Sequence, residues 1–168
     1  MLRPEAMRRR TILALLWTAS ALWFAALVGF VELRLAPEGA TPLPDTSLRG
    51  HGAEALSAWM GGMSEEGRAL VLGPYRLMDT VLPLLLALTL LVTGGRRHWW
   101  LGVLGLAYAA FDLAENATIA AMLHAAPTSP DPGQVALASA LTIAKWALVL
   151  PAILLGLWLF LKQMRARS

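Results

Sequence analysis

Four long apolar stretches constrain the fold of this chain more than any other feature. They cover residues 11–33, 77–93, 99–123 and 135–161, together 92 of the 168 residues. A helix needs about 20 apolar residues, with about 17–25 tolerated, to cross a hydrocarbon core of about 30 Å. A transmembrane barrel would show short segments of alternating polarity instead. The sequence therefore predicts an all-α, four-helix transmembrane bundle, with residues 1–168 forming a single integral membrane domain.

The composition agrees with a membrane protein and excludes several other classes. Apolar residues make up 57% of the chain and charged residues 15%, against about 45–50% and 25% in soluble domains. The chain has no cysteine, which excludes disulfides, thiolate metal sites and iron–sulfur clusters. The histidines, His51, His98 and His124, lie too far apart in sequence to suggest paired haem ligands. No metal and no cofactor is predicted.

The distribution of basic residues predicts the orientation of the bundle. Nine basic residues and one acid, Glu5, lie before the first span, between the second and third, and after the fourth. This bias places both termini on the cytoplasmic side of the cell (inner) membrane. Anchoring then explains the net charge of +3, so no nucleic-acid partner is expected. The first apolar run has 23 residues, longer than the about 7–15 of a signal peptide, and predicts an uncleaved anchor.

Residues 34–75 are predicted to form an outer segment between the first two spans. Prolines and a glycine predict an irregular loop over 34–50, followed by a short amphipathic helix over 52–60. Ser64 favours the start of a second short helix, and Gly73-Pro74 is expected to end it before the second span. The segment is either a lid or partner surface, or a connector that rests Trp59 at the membrane interface. The connector is the favoured interpretation.

Ionisable residues lie inside three predicted spans, where such residues are costly and usually functional. Asp79 lies in the second span and Lys145 in the fourth, while the third carries Asp112, Glu115 and Asn116. A rise of about 1.5 Å per residue places the four charged groups in the outer half of the bilayer. Helical periodicity adds further polar residues to the same faces. The candidate ligand-binding residues are Tyr75, Asp79, Tyr108, Asp112, Glu115, Asn116, Thr142 and Lys145.

The third span is too polar to insert well alone. A charged residue at the centre of a span costs about 2.5–3.5 kcal/mol, whereas each Leu, Ile, Phe or Val returns about 0.3–0.6 kcal/mol. The span has eight such apolar residues against two carboxylates and an amide. Its polar face must therefore be covered by other helices. We expect the three acids and the lysine to converge in one cluster that opens toward the outside.

Several motifs resemble those of a known group of proteins. Residues 75–83 read Tyr-x-x-x-Asp-x-x-x-Pro, residues 112–116 read Asp-x-x-Glu-Asn, and the last span holds the single Lys145. Together they resemble uncharacterised small bacterial integral membrane proteins with four spans and a D-x-x-E-N motif in the third. The resemblance covers most of the chain beyond the first span and implies the architecture and the polar cluster. A looser similarity links the chain to four-span sterol-isomerase-like proteins, which hold carboxylates in a membrane cavity.

Three functions remain open from the sequence. The leading hypothesis is a site that receives a small amphiphilic ligand, a lipid head group or a cation from the outer leaflet, with the lipid bilayer as the surrounding partner. The second is a structural role, in which buried ion pairs specify helix packing within an oligomer or a larger complex. The third is an isomerase-like enzyme acting on a lipid through paired carboxylates. The cluster has no histidine and the chain no nucleophilic-triad motif, so enzymatic activity is the least favoured.

Overall fold

The structure, a computed structural model, describes residues 4–125 and 130–165. Its helices are α1 (Pro4–Phe30), α2 (Ala53–Gly62), α3 (Glu65–Leu70), α4 (Arg76–Gly94), α5 (Trp100–Ala125) and α6 (Pro132–Arg165). Short π-helical turns at Val31–Leu35 and Val71–Tyr75, and 3₁₀ turns at Ala36–Glu38 and Pro44–Thr46, join them. These residues contain no strand, which confirms the all-α prediction for the described part of the chain.

Three continuous helical stretches are long and apolar enough to cross a membrane. They are Met7–Glu38, Glu65–Gly94 and Pro132–Arg165, and they contain the predicted first, second and fourth spans. By their length and composition, these helices suggest a helical membrane protein. The predicted third span coincides with α5, which has 26 residues but is not among the three. Its polar residues, which include Asp112 and Glu115, reduce its mean hydropathy.

The expected break at Gly73-Pro74 is wrong, because α3 continues into α4. A π-helical turn at Val71–Tyr75 joins the two helices and contains Pro74. Proline has no N–H to donate, and its ring crowds the preceding turn of a regular helix. The wider turn lets the N–H of Arg76 reach the carbonyls of Val71 and Gly73 instead. The sequence rule for proline failed here because a π turn can absorb the residue without ending the helix.

Glycines allow α4 and α5 to pack closely. A Cβ atom added to Gly105 would lie 2.9 Å from the Cα of Ala87, and one added to Gly102 would lie 3.2 Å from the Cα of Leu91. Small residues at such positions are typical of helix contacts within membranes, where close backbone approach provides much of the packing. The polar α5 is in this way held tightly against α4.

Polar side chains attach α1 to α4 along its length. The indole Nε1 of Trp17 donates to Thr93 Oγ1 at 3.1 Å, and the hydroxyls of Ser20 and Thr89 are 3.0 Å apart. Nearer the outer segment, Trp23 Nε1 donates to the Met78 carbonyl at 2.8 Å. Hydrogen bonds between membrane helices are each worth about 0.6 kcal/mol on average, so several in a row fix how α1 lies on α4.

The helix α1 also meets α6, but at one end of the bundle. Arg10 donates to the Gln163 carbonyl at 3.1 Å, and the rings of Trp17 and Phe160 lie with centroids 5.9 Å apart. Gln163 in turn donates to the Thr93 carbonyl at 3.0 Å, which ties the ends of α1, α4 and α6 together. Toward the other end, a cavity separates α1 from α6.

The outer segment closes the opposite end of the bundle with an apolar core of its own. Leu35, Leu43, Leu56, Trp59 and Met60 are buried in one cluster with residues near the adjacent ends of α5 and α6. The interpretation that rests Trp59 at the membrane interface is wrong. Trp59 is 8% exposed, because its indole N–H finds the Ala40 carbonyl of the irregular loop at 2.8 Å. The segment is therefore a packed cap rather than a loose connector.

The close contact between α4 and α5 can be tested with a matched pair of glycine substitutions. Gly105→Ala places a methyl group against the backbone of Ala87, and we expect a loss of about 1–3 kcal/mol of stability from overpacking. Gly29→Ala is the control, because a Cβ there meets nothing within 4 Å; it should be neutral or slightly stabilising, since alanine favours helices. Thermal unfolding in a mild detergent, followed by circular dichroism, compares the two. Equal effects would show that the helices are not in close contact at Gly105.

Candidate functional site

The ε-amine of Lys145 is the centre of a buried polar cluster. Its Nζ lies 2.7 Å from Glu115 Oε2 and 3.0 Å from Asp112 Oδ1, and the residue is 4% exposed. A charge removed from water requires partners of opposite charge and hydrogen bonds. The two carboxylates supply them from consecutive turns of α5, three residues apart and thus on one helix face. Lys145 thereby links α6 to α5.

The Asn116 side chain joins the carboxylates of α4 and α5. Its Nδ2 donates to Asp79 Oδ2 at 2.6 Å and to Asp112 Oδ2 at 3.2 Å. All three residues are buried, at 9% exposure or less. The amide uses both of its N–H groups on acceptors that would otherwise face each other, so it fixes the position of Asp79 without neutralising its charge.

Glu115 and Thr142 lie behind the cluster, away from any open space. Glu115 is fully buried, and its Oε1 accepts a hydrogen bond from the Thr142 hydroxyl. Lys145 Nζ lies 2.7 Å from the other oxygen, Oε2, and forms an ion pair with it. These contacts hold α5 against α6.

The structure adds Asp45, a residue of the outer segment that is not among those predicted from the sequence. It lies in the 3₁₀ turn Pro44–Thr46 and is 8% exposed. Its Oδ2 accepts from the Tyr75 hydroxyl at 2.8 Å and lies 3.8 Å from Lys145 Nζ. Its main-chain carbonyl accepts from Trp146 Nε1 at 2.9 Å. No helical periodicity marks a residue in an irregular loop, so the sequence carried no signal that Asp45 folds back into the bundle.

One oxygen of Asp45 remains without a partner. Its Oδ1 is buried and has no hydrogen bond within the described chain. Nearby, the half-buried His51 offers no compensating charge at neutral pH, because burial lowers the pKa of its imidazole below the usual 6.5. A buried unsatisfied carboxylate oxygen is costly and marks a place where the protein leaves binding capacity unused.

The cluster forms the polar end of a cavity of about 520 Å³. Five of the eight residues predicted from the sequence line it: Tyr75, Asp79, Tyr108, Asp112 and Lys145. Asn116, Glu115 and Thr142 do not line it and instead support those that do. The volume falls in the range of about 300–1,000 Å³ that is typical of small-molecule sites. The eight predicted residues thus belong to one cluster. Five of them line the cavity, and the other three support those five.

Most of the rest of the cavity wall is apolar. It is formed by one face of α1, by part of α4 and by one face of α6, including Ala21, Phe24, Leu27, Val28, Val31, Leu82, Leu86, Trp146, Val149 and Ile153. Phe24 and Val28 are 54% and 44% exposed, so the cavity reaches the outer surface of the helices beside α1. The cavity thus has one charged end and an apolar wall that opens to the side. This shape suits an amphiphile whose polar group lies at the charged end and whose chain lies between the helices.

The charges around the cavity are mainly negative. Its ionisable lining residues are the acids Glu32, Asp45, Asp79 and Asp112, and one base, Lys145. Within residues 4–125 and 130–165, no group of three or more His, Cys, Asp or Glu side chains is arranged to hold a metal ion. The arrangement can accept hydrogen bonds and balance a positive charge.

A comparison of the chain with known protein families, with curated proteins and with solved structures finds no match. The function is therefore argued from the cluster and its cavity.

Removing only the lysine should be more damaging than removing the whole ionic group. Lys145→Met leaves Asp112 and Glu115 as uncompensated buried acids, and loss of one partner of a buried pair costs about 3–5 kcal/mol. Lys145→Met combined with Asp112→Asn and Glu115→Gln removes the charges together and should recover most of that loss. Thermal unfolding of the two variants in the same detergent measures the difference. If the triple variant is as unstable as the single one, the loss of stability in Lys145→Met does not come from leaving the two carboxylates without their counter-charge.

Proposed function

We propose that this protein is a four-span membrane protein that binds a small amphiphile from the outer leaflet. In this proposal α5 is the remaining span, both termini face the cytoplasm, and the outer segment of residues 34–75 covers the external end. The cavity between α1 and α6 receives the ligand. Asp79, Asp112 and Lys145 contact its polar group, with Tyr75 and Tyr108 beside them.

The position of α5 supports its assignment as a span. It has the length of a transmembrane helix, and its polar residues Asp112, Glu115 and Asn116 are all buried against α4 and α6. Hydropathy alone underestimates the tendency of such a helix to span a membrane, because partners on neighbouring helices offset the cost of its polar groups.

The basic residues support the orientation. The described basic residues near the N-terminus, in the turn between α4 and α5, and near the end of α6 are Arg8, Arg9, Arg10, Arg96, Arg97, Lys162 and Arg165. Arg10 contacts Gln163, and Gln163 contacts Thr93, so these segments gather at one end of the bundle. An excess of Lys and Arg on one side is the mark of the cytoplasmic face.

The amphipathic cavity is the observation that carries the binding proposal. A purely structural ion cluster would be expected to fill its space, as Glu115 and Thr142 do. The half that includes Asp45 and Asp79 instead borders a cavity of about 520 Å³. A structural role thus accounts well for the residues that support the cavity wall. Ligand binding accounts for the residues that line the cavity.

The orientation can be tested with single cysteines, since the chain has none of its own. Glu54→Cys changes an exposed position in the outer segment, and Arg97→Cys and His124→Cys each change an exposed position at one end of α5. In intact bacterial cells a membrane-impermeant maleimide should label the cysteines at 54 and 124 but reach the one at 97 only after permeabilisation. Labelling at 97 and 124 from the same side would show that α5 does not cross.

Ligand binding can be tested by photolabelling in vesicles. The probes are three twelve-carbon amphiphiles with a diazirine in the tail and an ammonium, a hydroxyl or a carboxylate head group. We expect saturable adducts with at least one probe on the cavity faces of α1 and α6, located by peptide mass spectrometry. Ala21→Phe fills part of the cavity wall and should weaken saturable labelling about tenfold or more, the effect of losing about 1.4 kcal/mol of binding.

The matched control for Ala21→Phe is Ala26→Phe, an exposed position on α1 that does not line the cavity. It should leave saturable labelling unchanged. Absence of saturable labelling with all three probes, or equal loss in both variants, would contradict the proposed binding function.

A further inference from the structure

We infer that the ligand of this cavity is an amphiphile whose head group is a protonated amine, bound between Asp79 and Asp45. This inference rests on the proposed binding function and specifies its ligand class. The ammonium group lies at the polar end of the cavity, and its alkyl chain extends between α1 and α6.

The single base at the cavity is already engaged. Lys145 is held by Glu115 and Asp112 at 2.7 and 3.0 Å and is farther from Asp45, at 3.8 Å. An anionic head group would therefore have to compete with carboxylates that are fixed on the same amine. It would also approach Asp45 and Asp79, and like charges in a low-dielectric site repel strongly. The negative charges of the residues that line the cavity thus disfavour an anionic head group.

Asp79 is the first of two carboxylates available for a cation. Within the described chain its hydrogen-bond partner is the neutral amide of Asn116 at 2.6 Å, and it forms no ion pair. Asn116 orients the carboxylate through Oδ2, and no cationic side chain of the described residues lies within 4 Å of it. A buried carboxylate without a counter-charge is the feature that an ammonium ligand would complete.

Asp45 is the second carboxylate available for a cation. Its unpartnered oxygen supports the inference independently of Asp79. It is 8% exposed, it lines the same cavity, and its Oδ1 has no hydrogen-bond partner. The Tyr75 hydroxyl and the Lys145 amine both approach the other oxygen, Oδ2. Because an ammonium group carries up to three N–H donors, one head group can donate to Asp45 Oδ1 and to Asp79 together.

The remaining lining fits the same head group and its chain. Tyr75, Tyr108 and Trp146 line the cavity beside the carboxylates, and aromatic faces attract ammonium groups by about 0.5–2 kcal/mol. Glu32 lines the cavity from the π turn that follows α1 and is exposed, so a further negative charge favours the approach of a cation. The exposed side chains of Phe24 and Val28 leave a lateral path for an alkyl chain.

The photolabelling probes described above separate head-group choice from binding itself. We expect the ammonium probe to saturate its cavity adducts at a concentration about tenfold or more below that of the hydroxyl probe, because a hydrogen bond to a charged group is worth more than a neutral one. The carboxylate probe should label weakest. Asp79→Asn keeps the shape and an acceptor for Asn116 but removes the carboxylate, and should abolish the ammonium preference, so that the ammonium and hydroxyl probes saturate at similar concentrations.

The control is Glu54→Gln, the corresponding loss of charge at an exposed position of α2 outside the cavity, which should keep the preference. Labelling by the hydroxyl probe also reports that each variant is folded. Equal saturation by the three probes, or an ammonium preference that survives Asp79→Asn, would overturn the head-group inference and leave the proposed binding function standing. No saturable labelling by any probe would overturn both.

Discussion

The structure depends on the burial of one amine. Lys145 lies within α6 at 4% exposure, and a charged side chain in such a position is tolerated only if carboxylates meet it. Glu115 and Asp112 do so from a single face of α5. This requirement fixes which faces of α5 and α6 can touch, and Asn116 extends it to α4 through Asp79. Three helices are thus aligned by one connected polar network.

The same network explains how α5 can carry Asp112, Glu115 and Asn116 on one face. Its charged face is enclosed by α4 and α6, and the glycines Gly102 and Gly105 bring the backbone of α4 close to it. Within the bundle the polar groups of α5 have partners on α4 and α6. The helix α5 is not among the three apolar enough to cross a membrane, although it packs against two of them.

The sequence predicted the helices and the polar cluster well, because both follow from period and composition. The apolar runs gave the extents of α1, α4, α5 and α6 to within a few residues at most of their ends, and helical spacing brought Asp112 and Glu115 to one face. The prediction from sequence failed where irregular backbone determines the position of a side chain. The π turn around Pro74 and the fold-back of Asp45 have no periodic pattern, and Trp59 was misplaced because its partner is a loop carbonyl.

Asp45 also separates the two parts of the buried ionic cluster. Lys145, Glu115 and Thr142 satisfy one another, so their arrangement is complete without a ligand. Asp45 and Asp79 add negative charge on the cavity side of Lys145, where one oxygen of Asp45 has no partner. Tyr75 and Lys145 account for the position of Asp45 Oδ2 but not for the unpartnered Oδ1. The excess charge is explained when the cavity holds a cation.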